Sequence, residues 1–453
     1  MDFISGKESG ETETIVRSLA VVQWAQFISS DLSKTVATSM SNGAPIECCS
    51  SQNYRIQPRH NHPACAPLLR EDSNRRYGQA TCLNYVRSAL AVGNTCTFAA
   101  PELKLNQATG DLDMSPLYGF TESARQRIRL YKDGLLKSTN PGQIKNSLLP
   151  LVTKDSHHFC AHRLDKEGSD RNNCFMSGDS RVNSNPFTIT LYTIFMRNHN
   201  QLATALKKAH PQWNDEKLYQ TAKTINVDIY KRIVLKEWLV NVLGRSMVGE
   251  IEKEQRKIGK SGSSVEVSNE YAIAASRFYL SMMPNDVHNY GFGDVSASST
   301  VPPTDIFTLK DQLYNSNISY TAQKLDEILN AVIHQRTMRM DNSYVESLVS
   351  NSVRRPTHSD ALAFDIQRGR DHGLQPYYKY LEVCTNVKIS KWDDLKQFIA
   401  AEDIEKLKKV YQNWQDIDLI VGGISEIPAK DAAVGPTFQC IIVNLPHLRQ
   451  IKI

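Results

Sequence analysis

The sequence lacks the long hydrophobic runs of a membrane protein. No window approaches the roughly 18 consecutive apolar residues that would indicate a membrane-spanning helix. The start of the chain, MDFISGKESG, also lacks the basic prelude and the apolar run of a secretory signal peptide. We therefore expect no membrane span.

The charges of the chain do not form a stripe of one sign. Its 53 basic and 48 acidic residues give a net charge of +5 and are spread along the sequence, which does not favour nucleic-acid binding. Stretches of linker composition and internal repeats are absent as well. With 453 residues, 41% of them hydrophobic, the chain can bury a large core. We predict one large domain over residues 1–453.

Cysteine occurs nine times, but the paired CxxC motifs of a zinc site are absent. The spacing suits disulfide bonds better, and disulfides persist in oxidising compartments. We therefore expect a secreted, extracellular protein. The missing signal peptide conflicts with this unless the N-terminus was removed by processing or is absent from the gene model, and we favour the second explanation.

Apolar residues recur mostly at helical spacing, and strand-like runs are short and few. In residues 186–211, proline occupies the first turn and a His-Pro pair ends the pattern. We therefore predict a mainly α-helical fold. The predicted helices cover residues 15–32, 186–211, 215–243, 269–283 and 321–335, and one more ends near Cys384.

The segment from Thr109 to Ser115 carries oxygen-bearing side chains at alternating positions. Because calcium takes about six to eight oxygen ligands from carboxylates, hydroxyls and carbonyls, this pattern favours a hard cation. A polar turn whose aspartates cap a helix or bind water is the alternative. Asn317 begins the single N-glycosylation sequon, which is typical of a surface loop in a secreted glycoprotein.

Eight segments resemble, in order, motifs of the animal haem peroxidases, the family that includes myeloperoxidase, peroxinectins and insect chorion peroxidases. The resemblance covers nearly the whole chain and implies the family's large, mostly helical domain. That domain normally begins earlier and continues beyond Ile453, so we expect the chain to be incomplete at both ends. The segments are WAQFISSDL (24–32), NQATGDLDMSPLYG (106–119), SGDSRVNSNP (177–186), RNHNQLA (197–203), NEYAIAASRFYLS (269–281), ALAFDIQRGRDHGL (361–374), DIDLIVGG (416–423) and VGPTFQCII (434–442).

A haem peroxidase needs an iron ligand and a distal base that moves the peroxide proton. The resemblance places the distal histidine at Ser30, whose hydroxyl is too weak a base near neutral pH. It places the proximal histidine at Leu280, which cannot ligate iron. The family glycine before that ligand is Tyr279 here, whose ring would occupy space that haem needs. We therefore expect neither bound haem nor peroxidase activity by the usual route.

Other haem-site positions have changed as well. The two acidic residues that form ester links to haem in many members correspond to Ser29 and Ser184, and the asparagine that orients the proximal imidazole corresponds to Asp365. Gln26 and Arg181 match the distal glutamine and the arginine that stabilises the leaving oxygen. For Gln26 a helix-surface role is an equal alternative, and for Arg181 a structural role, such as pairing with a carboxylate, is favoured.

The other histidines have no obvious route to the iron in the family fold, so we expect surface or core roles for them. His60 and His62 lie in the motif PRHNHP, but two histidines without a third ligand are weak evidence for a metal site. The remaining histidines in this group are His157, His158, His199, His288 and His372.

The resemblance implies a calcium site in the segment 109–115. In the family this loop binds calcium together with the aspartate that follows the distal histidine, and that aspartate is retained here. Asp111 stands where the family uses mainly the backbone carbonyl, so its side chain either adds a contact to the cation or points to solvent. The expected ligands are Asp31, Thr109, Asp111, Asp113 and Ser115.

The resemblance also implies disulfides. Cys160 with Cys174 and Cys384 with Cys440 match family pairs, and we expect Cys48 and Cys49 to pair with Cys65 and Cys82. Cys96 is then left over, with its partner in a missing segment or another chain. Such bridges, together with calcium, would keep the scaffold rigid outside the cell.

Three functions are considered. We favour a secreted pseudoperoxidase that acts through its surface as an extracellular matrix, eggshell or cuticle component, an adhesion factor, or a partner of active relatives. The alternative is a genuine peroxidase that oxidises phenols, tyrosines or halides with haem held by atypical ligands, since Gln26 and Arg181 are retained. A third hypothesis is a defective or fragmentary gene product. Adhesion is an analogy from fold, because no RGD or KGD tripeptide is present.

Overall fold

The computed structural model places side chains over most of the chain, and helices predominate in it. The prediction of a mainly helical fold is therefore confirmed. Within the described ranges no helix is long and apolar enough to cross a membrane. The described residues are 17–50, 62–69, 82–91, 103–140, 143–152, 174–257, 266–289, 304–316, 319, 321–349 and 360–445.

The described helices differ widely in length. The α-helices are α1 (Ala20–Leu32), α2 (Ser115–Tyr118), α3 (Glu122–Ile128), α4 (Pro186–Ala209), α5 (Asp215–Ile233), α6 (Leu239–Leu243), α7 (Arg245–Lys257), α8 (Leu309–Gln312), α9 (Ala322–His334), α10 (Glu346–Val349), α11 (Ala361–Asp371), α12 (Tyr377–Thr385), α13 (Ala401–Val410), α14 (Leu419–Ser425) and α15 (Pro436–Val443). Turns of π-helix cover Val234–Trp238 and Glu270–Ala274, and 3₁₀ turns cover Ile144–Asn146, Ser180–Asn183, Ala275–Leu280, Trp392–Gln397 and Trp414–Asp416.

Strands are short in the described part of the chain. They form two antiparallel pairs, β1 (Leu68–Leu69) with β2 (Cys82–Leu83) and β3 (Asp286–Asn289) with β4 (Thr304–Thr308). The second pair contains a bulge between Val287 and His288. These small ribbons sit beside the helical core and do not form a layer of their own, as the scarcity of strand-like sequence predicts.

Helix α1 packs on α4 and on the turn Ala275–Leu280. Its Phe27 ring meets Tyr192 of α4 edge-on, with ring centroids 5.0 Å apart, and meets Tyr230 of α5 edge-on at 5.4 Å. All three rings are buried. Because edge-to-face pairs add to the free energy of burial, this cluster fixes one face of α1 against α4 and α5.

The helix predicted over residues 15–32 begins later than expected, at Ala20. Residues 17–19 run antiparallel to residues 335–337 instead: Leu19 N donates to Gln335 O at 2.9 Å, and Thr337 N donates to Arg17 O at 2.9 Å. Backbone groups paired in this way do not join a helix. Residues 15 and 16 lie outside the described ranges.

Two long predicted helices are confirmed. Helix α4 begins at Pro186, and the preceding Asn185 caps it by accepting a hydrogen bond from Thr188 N. The segment predicted over residues 215–243 is helical throughout, but a π-helical turn interrupts it between α5 and α6. The predicted helices at 321–335 and near Cys384 correspond to α9 and α12.

The segment predicted as a helix over residues 269–283 is helical but not a regular α-helix. It begins as the π turn Glu270–Ala274 and continues as the 3₁₀ turn Ala275–Leu280. Successive side chains here are buried in every direction, between α1 on one side and α11 and α14 on the other. Because packing surrounds the segment, no solvent-facing stripe selects a single helical period.

Disulfide bonds tie the polar segments to the core. Cys48 pairs with Cys65, Cys49 with Cys82, and Cys384 with Cys440. These pairs agree with the sequence-based expectation. Cys174 is also disulfide-bonded. Its expected partner Cys160, the leftover Cys96 and the sequon residue Asn317 lie outside the described residues.

Candidate functional site

The two sides of the predicted haem site lie on elements that pack directly on each other. Ser30 belongs to α1, and Leu280 ends the turn Ala275–Leu280. Between these elements, Ser29 Oγ donates a hydrogen bond to Ser276 Oγ at 3.2 Å, and both side chains are buried. A direct contact therefore joins the helix of the distal position to the segment of the proximal position.

Tyr279 and Leu280 are both in the interior, at 4% and 6% exposure. Arg277 Nη1 donates to Tyr279 Oη at 3.4 Å. Burial raises the pKa of Tyr279, whereas the charges of Arg277 and Arg181 act to lower it. The Tyr279 side chain thus lies within electrostatic range of the arginine on each side of the predicted haem site, and Leu280 offers no donor atom there.

Asp365, at the position of the family asparagine, is committed to two arginines. Its Oδ2 lies 3.1 Å from Arg277 Nε, and its Oδ1 lies 3.1 Å from Arg368 Nη1. Its side chain is only 1% exposed. Burial acts to lower the pKa of Arg277, but the Asp365 carboxylate outweighs it and the pKa is raised. The buried carboxylate therefore stabilises the half-buried Arg277 cation, a role that a neutral asparagine cannot fill.

Gln26 and Ser184 contact each other. Gln26 Nε2 donates to Ser184 Oγ at 3.1 Å, and Asn185 Nδ2 donates to Gln26 Oε1 at 3.0 Å. Asn185 is also the residue that caps α4. Both ends of the Gln26 amide are therefore used within the protein, where they join α1 to the start of α4.

Arg181 is held by three groups of the protein. Its Nε and Nη2 lie 2.8 and 2.6 Å from Asp179 Oδ2, its Nη1 donates to Ser33 O, and its Nη2 donates to Ser30 O, the last two at 2.8 Å. Burial would raise the pKa of Asp179, but Arg181 more than offsets this and the pKa is lowered. Arg181, whose side chain is 34% exposed, thus forms an ion pair with the buried Asp179 and closes the end of α1.

The loop from Thr109 to Ser115 meets α1 at Asp31. Asp31 Oδ2 accepts from Met114 N at 3.1 Å, and its Oδ1 accepts from Ser115 N at 2.9 Å. Thr109 Oγ1 lies 3.2 Å from Ser115 Oγ, which in turn donates to Asp113 Oδ1. The predicted ligands Asp31, Thr109, Asp113 and Ser115 are therefore within one connected cluster of oxygen atoms.

Two carboxylates face each other in this cluster. Burial first, and then the Asp113 charge, raise the pKa of Asp31 well above its usual range. Lys223 is the nearby cation whose charge reaches both aspartates, and its own pKa is lowered by burial. Within the described ranges, no three His, Cys, Asp or Glu side chains lie close enough together to hold a metal ion by themselves. A cation here would therefore be bound by two carboxylates together with hydroxyl and carbonyl oxygens.

The Asp111 side chain points away from the cluster. Its Oδ1 accepts from Leu112 N at 2.7 Å and lies 3.8 Å from Lys231 Nζ, and the side chain is 45% exposed. The carboxylate is thus turned toward solvent and a lysine. Of the two alternatives for this position, the backbone carbonyl is the oxygen that remains for a cation.

Three of the histidines considered in the sequence analysis form hydrogen bonds within the protein. His199 is buried, with Nδ1 2.9 Å from Tyr118 Oη, and burial lowers its pKa to about 4. His372 Nε2 lies 2.8 Å from Ser88 Oγ, and burial also lowers its pKa to about 4. His288 belongs to β3. His62 Nδ1 accepts from the backbone nearby, and His60, His157 and His158 lie outside the described residues.

The sequence analysis did not identify the residues that form hydrogen bonds or ion pairs with the predicted site residues. Asp179, two positions before Arg181, starts the 3₁₀ turn by accepting from Arg181 N, and this Asx-type start was a detectable local signal. Ser276 gave no signal of its own, because its contact with Ser29 joins residues 247 positions apart.

Comparison with known proteins identifies the family and the fold of the chain. The sequence model of the family described as "Animal haem peroxidase" matches residues 3–448. The chain is 30% identical to the peroxidase of Drosophila melanogaster over 442 residues, covering 93% of this chain and 61% of the relative. It is 29% identical to the chorion peroxidase of Aedes aegypti over 435 residues, covering 94% of this chain and 52% of the relative. The chain thus spans about half to three fifths of the length of these relatives.

Peroxidase A from Dictyostelium discoideum has a similar fold, with a TM-score of 0.75 at 19% identity over 98% of this chain and 80% of that one. At this identity the likeness concerns the fold alone. The match of the family model over almost the entire sequence decides the classification, and the resemblance inferred from the eight segments is confirmed: the chain belongs to the animal haem peroxidase family.

Proposed function

We propose that this protein is a secreted, haem-free pseudoperoxidase that acts through its surface as an extracellular structural, adhesion or partner-binding protein. The observation that carries the proposal is the pair of buried residues Tyr279 and Leu280 where the family pattern has glycine and histidine. A leucine has no lone pair for iron, and a tyrosine ring in place of the family glycine would occupy space that the haem edge or its histidine needs.

The remaining residues of the site support the same conclusion. Ser30 cannot serve as a base for peroxide near neutral pH, because a serine hydroxyl does not titrate there. Arg181 is engaged by Asp179 and by two backbone carbonyls. The residues present therefore do not fit a haem held and used in the family's manner.

We further propose that the Asp31 cluster binds calcium. Two close carboxylates in a buried setting favour either a proton or a cation, and the neighbouring hydroxyls are hard oxygen donors. The ligands would be the side chains of Asp31, Thr109, Asp113 and Ser115 and the backbone carbonyl of Asp111. Bound calcium would clamp the loop to α1, which is a structural task that does not depend on haem.

An extracellular location rests on the disulfides and on one relative. Bonds such as Cys48–Cys65 and Cys384–Cys440 persist in oxidising compartments. The relative from Aedes aegypti is named a chorion peroxidase, and the chorion is an eggshell layer. We therefore propose that the partners of this protein are components of an extracellular matrix, an eggshell or a cell surface.

Haem titration of the purified full chain tests the proposal. We expect no saturable Soret band near 400 nm and no peroxide-dependent oxidation of a phenol, while an active family peroxidase in the same assay shows both. The alternative function, an active peroxidase with atypical haem ligands, predicts a strong Soret band with turnover. That result would overturn the pseudoenzyme assignment.

A further inference from the structure

A groove lies on the far side of α1 from the haem-site contacts. It has a volume of about 390 Å³, within the usual range for small-molecule sites. Its floor comes from the first turns of α1 and from the π turn after α5, and its rim comes from the end of α9 and the residues that follow. Its lining includes the side chains of Val21, Trp24, Trp238, Ile333, His334 and Arg336.

The apolar walls of the groove are fixed in place. The Trp24 ring stacks on Tyr230 at a centroid distance of 6.0 Å and meets Phe195 edge-on at 5.7 Å. Trp238 Nε1 donates to Val21 O at 3.1 Å, so its polar atom is satisfied by the protein. The half-buried Trp24 ring, with the largely buried Trp238 behind it, therefore forms a preformed apolar surface that a ligand need not order, which lowers the entropic cost of binding.

The rim combines exposed apolar surface with a free positive charge. Ile333 is 53% exposed and lines the groove, so its side chain adds apolar surface at the rim. Arg336 is exposed, and within the described ranges its guanidinium forms no ion pair or hydrogen bond. Its backbone is nevertheless held, because Arg336 pairs with Ser18 in an antiparallel bridge. The bridge anchors the backbone that carries this free cation at the mouth of the groove.

The other charges at the groove do not neutralise Arg336. Arg17 is already bound to the backbone, with Nε 2.9 Å from Asn241 O and Nη2 3.0 Å from Asp431 O. Glu237 also lines the groove, and within the described ranges no ion pair joins it to Arg336. Arg336 is therefore the cation of the groove that can pair with an added anion.

We propose that this groove binds an amphipathic organic carboxylate, with its apolar body against Trp24 and Trp238 and its carboxylate at Arg336. A planar guanidinium pairs with a carboxylate through two parallel hydrogen bonds, which gives orientation as well as affinity. The site is independent of haem and of the Asp31 cluster, so it does not rest on the pseudoenzyme assignment.

Calorimetric titration of the full chain with a matched pair of probes tests the proposal. The acid is 2-naphthylacetate, and the neutral analogue is 2-naphthylacetamide. We expect saturable binding of the acid below about 1 mM and binding of the amide that is about tenfold weaker, since a charge-assisted pair is lost. Equal affinity for the two probes, or no saturable binding of the acid, would overturn the proposal.

Variants at exposed positions locate the binding site. Arg336→Gln should weaken binding of the acid about tenfold and leave the amide unchanged. Ile333→Glu should abolish binding of the acid, because it places a like charge at the mouth of the groove. Arg232→Gln removes an exposed arginine that does not line the groove, and both probes should bind it as they bind the wild type. A loss of acid binding in Arg232→Gln equal to that in Arg336→Gln would place the anion elsewhere.

Discussion

Two regions in contact with helix α1 differ in how their buried carboxylates are compensated. At the haem-site end, the Asp179 carboxylate is paired with Arg181, and Asp365 is paired with Arg277 and Arg368. At the loop 109–115, Asp31 accepts hydrogen bonds from two backbone N–H groups, and burial together with Asp113 raises its pKa. The first region is neutralised by the protein itself, whereas the second is left in need of a proton or a cation.

The difference indicates that an external ion fits at the loop 109–115 and not at the haem-site end. Ser30 and Asp31 are neighbours in sequence, yet the distal histidine position has become serine while the aspartate remains. Under the proposed haem-free function, a side chain that serves only haem is free to differ. Asp31 also holds the loop through Met114 N and Ser115 N, so its removal would cost folding stability as well.

Breaking the internal ion pair should have the largest effect. In Arg181→Gln the buried Asp179 loses its main cation, and we expect the free energy of unfolding to fall by about 3–5 kcal/mol. Denaturant titration measures the change. The double variant Arg181→Gln/Asp179→Asn removes the unpaired charge and should recover a large part of the loss. A loss below about 1 kcal/mol in the single variant would show that Arg181 is not needed for the fold and remains available to a ligand.

The sequence predicted the helical framework better than the site contacts. The apolar periodicity of α4, α5 and α9 and the Asn185-Pro186 start are local signals, and local signals can be interpreted without the fold. The segment 269–283 departs from a regular helix because packing on all sides overrides its intrinsic period. Motif positions identified Leu280 and Asp31, but not what surrounds them.

Long-range pairing explains the remaining gap. Arg277 and Asp365 are 88 positions apart, and nothing in either segment alone shows that they form an ion pair. The same holds for Gln26 and Ser184, 158 positions apart. Chemistry that depends on such contacts becomes visible only when the helices are placed together.

Calcium should have the second largest effect. With calcium at about 100 times its dissociation constant we expect about 2.7 kcal/mol of added stability, seen as a higher melting temperature that a chelator reverses. Because the pKa of Asp31 is raised in the folded state, ionising it destabilises the metal-free fold as the pH rises above the unfolded pKa. Calcium needs the ionised form, so its effect should be small in acid and grow toward neutral pH. An unchanged midpoint at every pH would contradict the calcium site.

A matched pair of variants separates charge from structure in the loop. In excess calcium, Asp31→Asn should be less stable than the wild type by about 2–3 kcal/mol, because the metal is lost. With chelator near neutral pH, the difference in stability between Asp31→Asn and the wild type should become smaller or change sign. The reason is that the variant has no buried carboxylate to ionise. Asp111→Asn changes a carboxylate that faces solvent and Lys231, and it should shift stability by less than about 0.5 kcal/mol in both conditions. Equal responses of the two variants would mean that Asp31 is not the metal ligand.

The smallest effect concerns the contact that joins the two sides of the haem site. Ser29→Ala and Ser276→Ala should each lower the free energy of unfolding by about 1 kcal/mol, because each removes one buried hydrogen-bond partner. The double variant should cost less than the sum, with a coupling energy of about 0.5 kcal/mol or more in a double-mutant cycle. Additive losses would show that α1 and the turn Ala275–Leu280 are held together by their apolar packing alone. In that case the Tyr279 and Leu280 side chains, and not the serine pair, would be the elements that close the space that haem occupies in the family.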